Sequence, residues 1–342
     1  MSASDPTNPG GGPGYTYRDA GVDIDEGNAL VKEIGRLRAR TEHRHQLYQA
    51  FGLFAASFDL SAWNEPVIVT GCDGVGTKLE LLLEHDLLET AGKDLVAMNV
   101  NDILTTGGEP VMFLDYLGVP KIDRRQLVRL VAGMVEHLEA CGCVLAGGET
   151  AEMPGMVADG MVELSGFAIG VAEKSQLLNP STIVPGDAVV GYASDGFHAN
   201  GWSLVRRILA DRADEFSRDE VRGLLAPTRL YHDVVNDLRG AAVPVRAHAH
   251  ITGGGLPENV QRLLEHDRLG ADLEVPPWPD KVARRVASHV AEPEAFRTFN
   301  MGIGWVTVVP PEALAPALAA GPGGVLLGEI NRQPGVRCRV NA

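Results

Sequence analysis

Apolar and polar residues alternate along the chain in blocks that predict helices and strands following one another. In the segment 124–140, apolar residues recur every three or four positions, as on one face of a helix: Leu127, Leu130, Val131, Met134 and Leu138. Short apolar runs bounded by glycine, proline and polar residues predict strands instead. This alternation predicts a mixed α/β (α+β) fold built from layers of helices and sheets.

The predicted elements fall into two halves. In the first half, helices are predicted at residues 25–40, 93–106 and 124–140, and strands at 66–70, 111–119, 144–146 and 161–171. In the second half, strands are predicted at residues 188–193, 245–251, 303–309 and 325–330, and helices at 201–210, 230–238, 257–264 and 311–319. Turn-forming Asn-Pro and Pro-Gly pairs lie between the halves, within residues 173–187.

The length of 342 residues exceeds what one apolar core usually supports, so two domains are expected. Residues 1–14 are rich in glycine and proline and carry no apolar side chain beyond Met1, which predicts a flexible tail. We therefore expect a first domain at residues 15–174 and a second domain at residues 175–342.

Composition and charge exclude several classes of protein. The formal net charge of −15 opposes nonspecific attraction to nucleic acid and to anionic membranes. No run approaches the roughly 20 apolar residues that span a bilayer, and the amino terminus does not resemble a secretory or organellar signal. The four cysteines include no CxxC motif, so they are expected to be reduced thiols. A cytoplasmic protein without nucleic-acid or membrane partners is expected.

The segment 70–78 directly follows a predicted strand and reads TGCDGVGTK. Gly74 and Gly76 would let backbone amides approach phosphate oxygens, and Lys78 would supply a point charge. Asp73 has the oxygen ligands that Mg²⁺ prefers. A tight hairpin in which Asp73 binds only its own backbone explains the motif about equally well.

Two further acidic motifs belong to the first half. Asp102 follows Asn101 within a predicted helix, and Glu149 lies in the segment 146–155, AGGETAEMPG, after a predicted strand. A solvated helix face is the alternative for Asp102. If the motifs converge, Asp73, Asp102 and Glu149 could together hold Mg²⁺ and bridge nucleotide phosphates.

Three segments of the second half carry candidate ligand-binding residues. His198 is available for proton transfer, and Asn200 is a plausible N-cap of the helix that follows. The segment 252–257, TGGGLP, leads from a strand into a helix whose amides could bind an anion. The segment 297–304, RTFNMGIG, suits contact with a polar ligand or a buried turn. Loop-building roles remain open for all three segments.

The motifs taken in order resemble the PurM family, the aminoimidazole ribonucleotide synthetases, over roughly residues 15–335. They are YRDAGVDID at Tyr17, DGVGTK at Asp73, ND at Asn101, GGETAEMPG at Gly147, HANGWSLVR at His198, APTR at Ala226, TGGGLPEN at Thr252 and RTFNMGIG at Arg297. The resemblance implies two α/β domains and a homodimer formed through the sheets of the first domains. It also implies ATP- and Mg²⁺-dependent cyclisation of a phosphorylated small molecule, formylglycinamidine ribonucleotide, to aminoimidazole ribonucleotide.

The family's site residues can be carried over by position. Those implied to handle Mg·ATP are Asp73, Gly74, Gly76, Thr77, Lys78, Asn101, Asp102, Glu149 and Thr150. Those implied to face the ribonucleotide are His198, Asn200, Gly253, Gly254, Gly255, Arg297 and Asn300. Lys78 and His198 are the implied catalytic residues, His198 in proton transfer or orientation.

The segment 41–54 departs from the family pattern. Relatives usually carry a glycine-rich GGxGGF segment there, whereas this chain reads TEHRHQLYQAFGLF. Asp195 and Phe197 also stand where relatives more often have glycine and a smaller or aliphatic residue. A related enzyme acting on another amide or amidine, and a catalytically silent nucleotide-binding paralogue, therefore remain alternatives.

Overall fold

Two β-sheets, one in each half of the chain, form the framework of the protein. The computed structural model describes Tyr17, residues 20–42, Leu47, residues 54–264 and residues 268–341. The predicted tail at residues 1–14 and most of the unusual segment 41–54 lie outside the described residues. Short 3₁₀ turns at Lys174–Gln176 and Pro180–Thr182 connect the two sheets.

The first sheet has four strands in the order β1-β4-β2-β3. The strands are β1 (Pro66–Gly74), β2 (Glu109–Val119), β3 (Val144–Glu152) and β4 (Glu163–Glu173). β2 and β3 run parallel, whereas β4 is antiparallel to both of its neighbours. Pairing places Asp73, Gly166, Asp115 and Gly148 opposite one another in one row across the sheet.

Helices cover one face of the first sheet. They are α1 (Ile24–Arg38), α2 (Lys78–Glu84), α3 (Leu88–Thr105) and α4 (Arg124–Cys141). α3 and α4 approach closely because Gly92 and Gly133 lack side chains, and a Cβ at either would lie 2.0 Å from a carbonyl oxygen of the other helix. Asp123 caps α4, and Gly142 ends it in the left-handed conformation.

The second sheet has six strands in the order β10-β7-β9-β5-β8-β6, antiparallel except for the β10/β7 pair. The strands are β5 (Ala188–Ala193), β6 (Ala247–His250), β7 (Gly270–Val275), β8 (Ile303–Val309), β9 (Gly324–Asn331) and β10 (Gly335–Val340). The helices are α5 (Trp202–Asp211), α6 (Arg218–Leu224), α7 (His232–Gly240), α8 (Gly255–Leu264), α9 (Lys281–Ser288), α10 (Glu292–Thr298) and α11 (Leu314–Ala319).

The core joins the two halves. One apolar cluster contains Leu95 and Phe113 of the first half together with Trp202 and Tyr231 of the second. A second cluster lies on the other face of the second sheet, beneath α8 and α10. Burial of continuous apolar surface therefore holds the two sheets in a fixed relation. Among the described residues, no helix is both long enough and apolar enough to cross a membrane.

Most long elements agree with the sequence predictions, but their ends differ. The bounds of β5 and β8 are confirmed, whereas β1 and β3 run on to Gly74 and Glu152. Asp73 and the Gly147–Glu149 motif consequently lie within strands and not in loops after them. The sequence reading missed α2, α6, α9, α10, β7 and β10. The predicted N-cap at Asn200 is wrong, because Gly201, with φ 75°, is the N-cap residue of α5.

Candidate functional site

Asp73 and Asp102 form the most open acidic pair of the predicted site. Asp73 accepts a hydrogen bond from the N–H of Gly74 at 2.7 Å, and Asn99 Nδ2 donates to the Asp73 carbonyl at 3.1 Å. Burial raises the pKa of Asp73, and the Gly74 hydrogen bond opposes that rise, whereas the charge of Asp102 adds to it. A cation between two carboxylates that repel each other would relieve this cost.

His250 holds Asp102 in place from the interior. Its Nδ1 lies 2.9 Å from Asp102 Oδ1, and its ring is almost fully buried, whereas the Asp102 side chain is 48% exposed. Asp102 is thus anchored on one side and open on the other. The sequence motifs did not identify His250 as part of the site. Its place at the end of β6, two residues before the TGGG motif, is the signal that could have identified it.

Asn101 connects the domains. Its Nδ2 donates to the carbonyl of Arg229 at 2.8 Å, and its Oδ1 accepts from the N–H of Tyr231 at 3.0 Å. The residue is fully buried. Its side chain therefore organises the connection that contains the APTR motif, and it presents no surface to a nucleotide in this structure.

Lys78 is also occupied by a contact between the domains. Its Nζ lies 2.7 Å from Asp94 Oδ2 and donates to the carbonyl of Ala226 at 2.6 Å, and the residue has no exposed surface. The other Asp94 oxygen accepts hydrogen bonds from the N–H and the hydroxyl of Thr228. Burial lowers the pKa of Lys78, while Asp94 opposes that change. Tertiary packing therefore encloses the ammonium group, and the phosphate contact of Lys78 stays a prediction.

A cleft of about 510 Å³ runs beside the end of β1 and is bordered by both domains. Asp73, Gly74, Gly76 and Thr77 line one side, and Arg206 of α5 lines the other. Thr77 Oγ1 lies 3.1 Å from Ser203 Oγ. Gly76 has φ 64°, which glycine adopts without strain. The predicted phosphate turn is therefore an open surface at the domain boundary.

Glu149 and Thr150 lie apart from that cleft. They belong to β3, three strands from β1 and so about 14 Å away along the sheet. Among the described residues, no group of three His, Cys, Asp or Glu side chains is arranged to hold one metal ion. The predicted trio of Asp73, Asp102 and Glu149 is accordingly not assembled around a single position; Asp73 and Asp102 alone are close neighbours.

A second cavity, of about 200 Å³, opens beside Glu149 and Thr150 between α1 and the ends of β2 and β3. Asp115 lies at its base and is nearly buried. Burial, with a smaller contribution from the charge of Glu149, raises the pKa of Asp115 to about 7. The sequence reading missed Asp115 because it occurs inside an otherwise apolar strand.

His198 is enclosed by the second domain. Its ring accepts a hydrogen bond at Nε2 from the N–H of Asp195 at 3.2 Å, and its carbonyl accepts one from Trp202 Nε1 at 2.6 Å. Burial, followed by the charges of His250, Lys78 and Arg229, holds its pKa well below the usual range. The side chain is fully buried. His198 supports the loop in a left-handed conformation with φ 58°, and its contact with a ligand stays a prediction.

The glycine loop after β6, residues 252–255, leaves its backbone open to close approach by a ligand. Asn259 Nδ2 donates to the carbonyls of Gly253 at 3.2 Å and Gly255 at 2.8 Å, which fixes the loop at the start of α8. A Cβ at Gly255 would lie 1.8 Å from the Phe296 carbonyl oxygen, and a Cβ at Gly253 would lie 4.0 Å from Asn200 Oδ1. Gly253 and Asn200 thus meet at an open position, and their contact with a ligand stays a prediction.

Arg297 and Asn300 have opposite environments. The Arg297 guanidinium is 62% exposed and donates to Glu258 on α8, beside the glycine loop. Asn300 is buried: its Oδ1 accepts from Ser194 Oγ and Gly302 N, and its Nδ2 donates to the carbonyl of Gly196. Arg297 remains available to a ligand, whereas the Asn300 side chain holds two loops together.

Solved structures share this fold at low sequence identity. Thiamine-monophosphate kinase from Stenotrophomonas maltophilia K279a aligns with a TM-score of 0.63 and 18% identity, covering 89% of this chain and 94% of that one. The hydrogenase maturation protein HypE in complex with ATP aligns with a TM-score of 0.63 and 17% identity, covering 89% and 86%. These likenesses establish the two-domain fold that the resemblance predicted.

Sequence relatives are much closer. The family described as "AIR synthase related protein" matches with its N-terminal domain at residues 55–172 and its C-terminal domain at residues 184–341. Proteins named phosphoribosylformylglycinamidine cyclo-ligase include one from Aromatoleum aromaticum, 47% identical over 87% of this chain and 88% of its own length. Another, from Cupriavidus taiwanensis, is 44% identical over 97% of both chains. The chain belongs to the PurM family of phosphoribosylformylglycinamidine cyclo-ligases.

Proposed function

We propose that this protein catalyses the ATP-dependent cyclisation of formylglycinamidine ribonucleotide to aminoimidazole ribonucleotide, ADP and phosphate in purine biosynthesis. The observation that carries this proposal is 44% identity across 97% of both chains to a protein named for that reaction. The open acidic pair and the glycine loop support it, because the reaction brings two phosphorylated molecules together. A cytoplasmic location is part of the same proposal.

The chemistry requires activation of an oxygen. An amide oxygen is a poor leaving group, so transfer of a phosphoryl group to it prepares it for departure as phosphate when the amidine nitrogen attacks. Such reactions depend mainly on positioning and on neutralising charge. The protein must therefore supply cation ligands for one substrate and anion-binding groups for the other.

Asp73 and Asp102 are the proposed Mg²⁺ ligands. They fit this role because their carboxylates repel each other and because Asp102 is open on the side away from His250. The chemistry that a bound Mg²⁺ supplies is neutralisation of charge on the phosphoryl group. His250 positions Asp102 by fixing one carboxylate oxygen, so the other oxygen stays available. Glu149 and Thr150 lie beyond this pair, toward the second cavity.

The loop at Gly253–Gly255 is proposed to bind the phosphate of the ribonucleotide. Backbone N–H groups at the N-terminus of α8 point out of the helix along its axis. The helix dipole favours an anion at this end. Arg297 stands beside this loop, tethered by Glu258. Asn200 meets Gly253 from the opposite side. The loop therefore combines close backbone approach with one cationic side chain.

A homodimer formed through the first sheet is a further part of the proposal. The sheet face opposite the helices carries apolar side chains, and Ile68 and Phe167 remain 57% and 41% exposed. Such a face is costly in water and typical of a subunit interface. Phe167→Asp should convert a dimer into monomers in analytical ultracentrifugation, and a wild-type monomer at micromolar concentration would contradict this part of the proposal.

A coupled assay tests the proposed activity. Purified protein is supplied with ATP, Mg²⁺ and formylglycinamidine ribonucleotide, and phosphate release and the aminoimidazole product are measured together. We expect both to require all three components. ATP turnover only with a different amide or amidine would favour a related enzyme, and no turnover with any substrate would favour a silent paralogue.

A further inference from the structure

A third cavity, of about 490 Å³, lies between the two domains, toward the other end of the first sheet from Asp73. Trp63, which precedes β1, contributes to its lining, and so does Val171 near the end of β4. Asp73 lies seven residues after Pro66 on β1, which is roughly 23 Å along the strand. The cavity is therefore separate from the cleft beside Asp73, and its volume is within the range of small-molecule sites, about 300 to 1,000 Å³.

The wall of this third cavity is largely apolar. Leu178 comes from the segment that connects the two sheets, and Leu238 and Val243 come from α7 and the turn that follows it. Trp63 adds an aromatic side chain. An aromatic ring buries a large apolar area and packs well against such groups, so the body of a ligand is expected to be an aromatic ring.

Two opposite charges line the same cavity, on Arg239 and Glu109. Arg239 Nη2 donates to the carbonyls of Gly107 at 2.7 Å and Gly108 at 3.2 Å, whereas its Nε and Nη1 form no hydrogen bond with any described residue. Burial lowers the pKa of Arg239, and the charge of Glu109 opposes that change. An anionic group would compensate Arg239 and a cationic group would suit Glu109, so a zwitterionic ligand matches both charges.

His248 supplies a neutral polar group. Its Nδ1 lies 2.9 Å from Thr307 Oγ1, and only 5% of the residue is exposed. Burial, followed by the charge of Arg239, lowers the pKa of His248 to about 3, so the ring carries no charge near neutral pH. The ring also lines the cavity, and its Nε2 forms no hydrogen bond with any residue in the described part of the chain. Buried polar atoms normally have partners, so this nitrogen indicates a partner supplied from the cavity.

We propose that this cavity is a second ligand site and that it binds an aromatic α-amino acid with a hydroxyl group on its ring, such as tyrosine. The carboxylate binds Arg239, the ammonium group binds Glu109, and the hydroxyl group forms a hydrogen bond with His248 Nε2. A hydroxyl group suits either tautomer of His248, because it both donates and accepts. The site does not depend on the proposed function, since neither the nucleotide nor the ribonucleotide is part of it.

A series of four ligands tests the three contacts on the wild type. Isothermal titration calorimetry measures binding of tyrosine, tyramine, 3-(4-hydroxyphenyl)propionate and phenylalanine to the full-length protein. Tyramine lacks the carboxylate, the propionate lacks the ammonium group, and phenylalanine lacks the hydroxyl group. Tyrosine should bind more tightly than each of the other three by roughly tenfold, the effect of one hydrogen bond that involves a charged or buried group. Equal affinity for tyrosine and tyramine would overturn the inference.

Two variants assign the charged contacts. Arg239→Gln should bind tyrosine no better than tyramine, but it should keep the preference for tyrosine over 3-(4-hydroxyphenyl)propionate. Glu109→Gln should show the reverse pattern. Arg207→Gln removes an exposed cation of α5 that pairs with Asp211, and this matched control should keep both wild-type preferences. Because each variant loses one preference and keeps the other, a general loss of folding cannot produce the expected result.

A last comparison separates this cavity from the cleft beside Asp73. Asp73→Asn should bind tyrosine with the wild-type dissociation constant, because Asp73 is not part of the cavity. Loss of tyrosine binding in Asp73→Asn, wild-type preferences in Arg239→Gln, or the absence of tyrosine binding to the wild type would each overturn the inference. Phosphate release by the wild type is measured separately, so any of these outcomes would leave the proposed activity intact.

Discussion

The acidic edge of the first sheet and the polar loops of the second domain carry the same kinds of motif but differ in how their side chains are used. Burial raises the pKa of Asp73 and of Asp115 on the first sheet. Asn300, by contrast, is buried in the second domain, and both its Oδ1 and its Nδ2 form hydrogen bonds there. Polar side chains at open positions are available to a ligand, whereas an enclosed and fully hydrogen-bonded side chain builds the loops around the site.

Neutralising one carboxylate of the acidic pair should have the largest effect. Asp73→Asn and Asp102→Asn should each lower turnover by roughly a thousandfold, because a ligand to the proposed metal is lost. Their melting temperatures should be unchanged or higher, since repulsion between the carboxylates is removed. Steady-state kinetics with differential scanning calorimetry measures both, and Asp211→Asn is the control. Near-normal activity of Asp73→Asn would reject its role.

Lys78 is a buried and paired residue, in contrast to the open carboxylates of Asp73 and Asp102. Lys78→Met should destabilise the protein by about 3 to 5 kcal/mol, because Asp94 is left as an unpaired buried charge. Urea unfolding measures the loss. The double variant Lys78→Met/Asp94→Asn should recover part of it, since the unpaired charge is removed. Activity lost in Lys78→Met without any loss of stability would instead indicate direct contact with a substrate.

In the absence of a ligand, Asp115 should lower the stability of the protein in a pH-dependent way. Its folded-state pKa of about 7 lies above the unfolded value of 3.8, so the native state holds this proton more tightly. Stability from this group is complete below the unfolded pKa and lost as pH rises to 7. The free energy of unfolding of Asp115→Asn should therefore exceed that of the wild type by a margin that grows between pH 4 and 7, to at most about 4 kcal/mol.

Thermal unfolding of the two proteins across that pH range checks the prediction. A constant difference at every pH would show that Asp115 does not titrate in this interval. Asp211→Asn, which removes an exposed carboxylate, should show a much smaller dependence on pH.

Of the four sites of substitution considered, Asn300 should show the smallest effect on stability and activity. Asn300→Ala removes hydrogen bonds to Ser194, Gly196 and Gly302 and should cost about 1 to 3 kcal/mol of stability. Because the side chain joins loops and is not exposed, KM should change more than kcat. Urea unfolding and initial-rate kinetics measure these effects, and a fall in kcat at unchanged stability would indicate direct contact with a substrate.

Sequence patterns predicted the long elements because their apolar spacing is regular. α4 and β8 follow this rule, whereas α9 and α10 are short and rich in charged residues, so their pattern was too weak to detect. Burial of individual polar residues depends on tertiary packing. Lys78 donates a hydrogen bond to Ala226, which is 148 positions away in the sequence, and a local sequence pattern cannot predict so distant a contact.

The candidate site could be predicted only in part for the same reason. The motifs located Asp73, Asp102 and the glycine loop, which lie at open positions in the fold. They did not identify His250, whose partner Asp102 is also 148 positions away, and they did not separate Glu149 from the acidic pair. Strand order, with β4 inserted between β1 and β2, decides that separation.

The most direct test of the central claim is the stoichiometry of a reaction run to completion with limiting formylglycinamidine ribonucleotide. The wild type should form one aminoimidazole ribonucleotide and one phosphate per substrate molecule, and Asp73→Asn should form neither on that timescale. Phosphate released from ATP without the ribonucleotide, or without formation of the aminoimidazole product, would contradict ATP-driven ring closure by this protein.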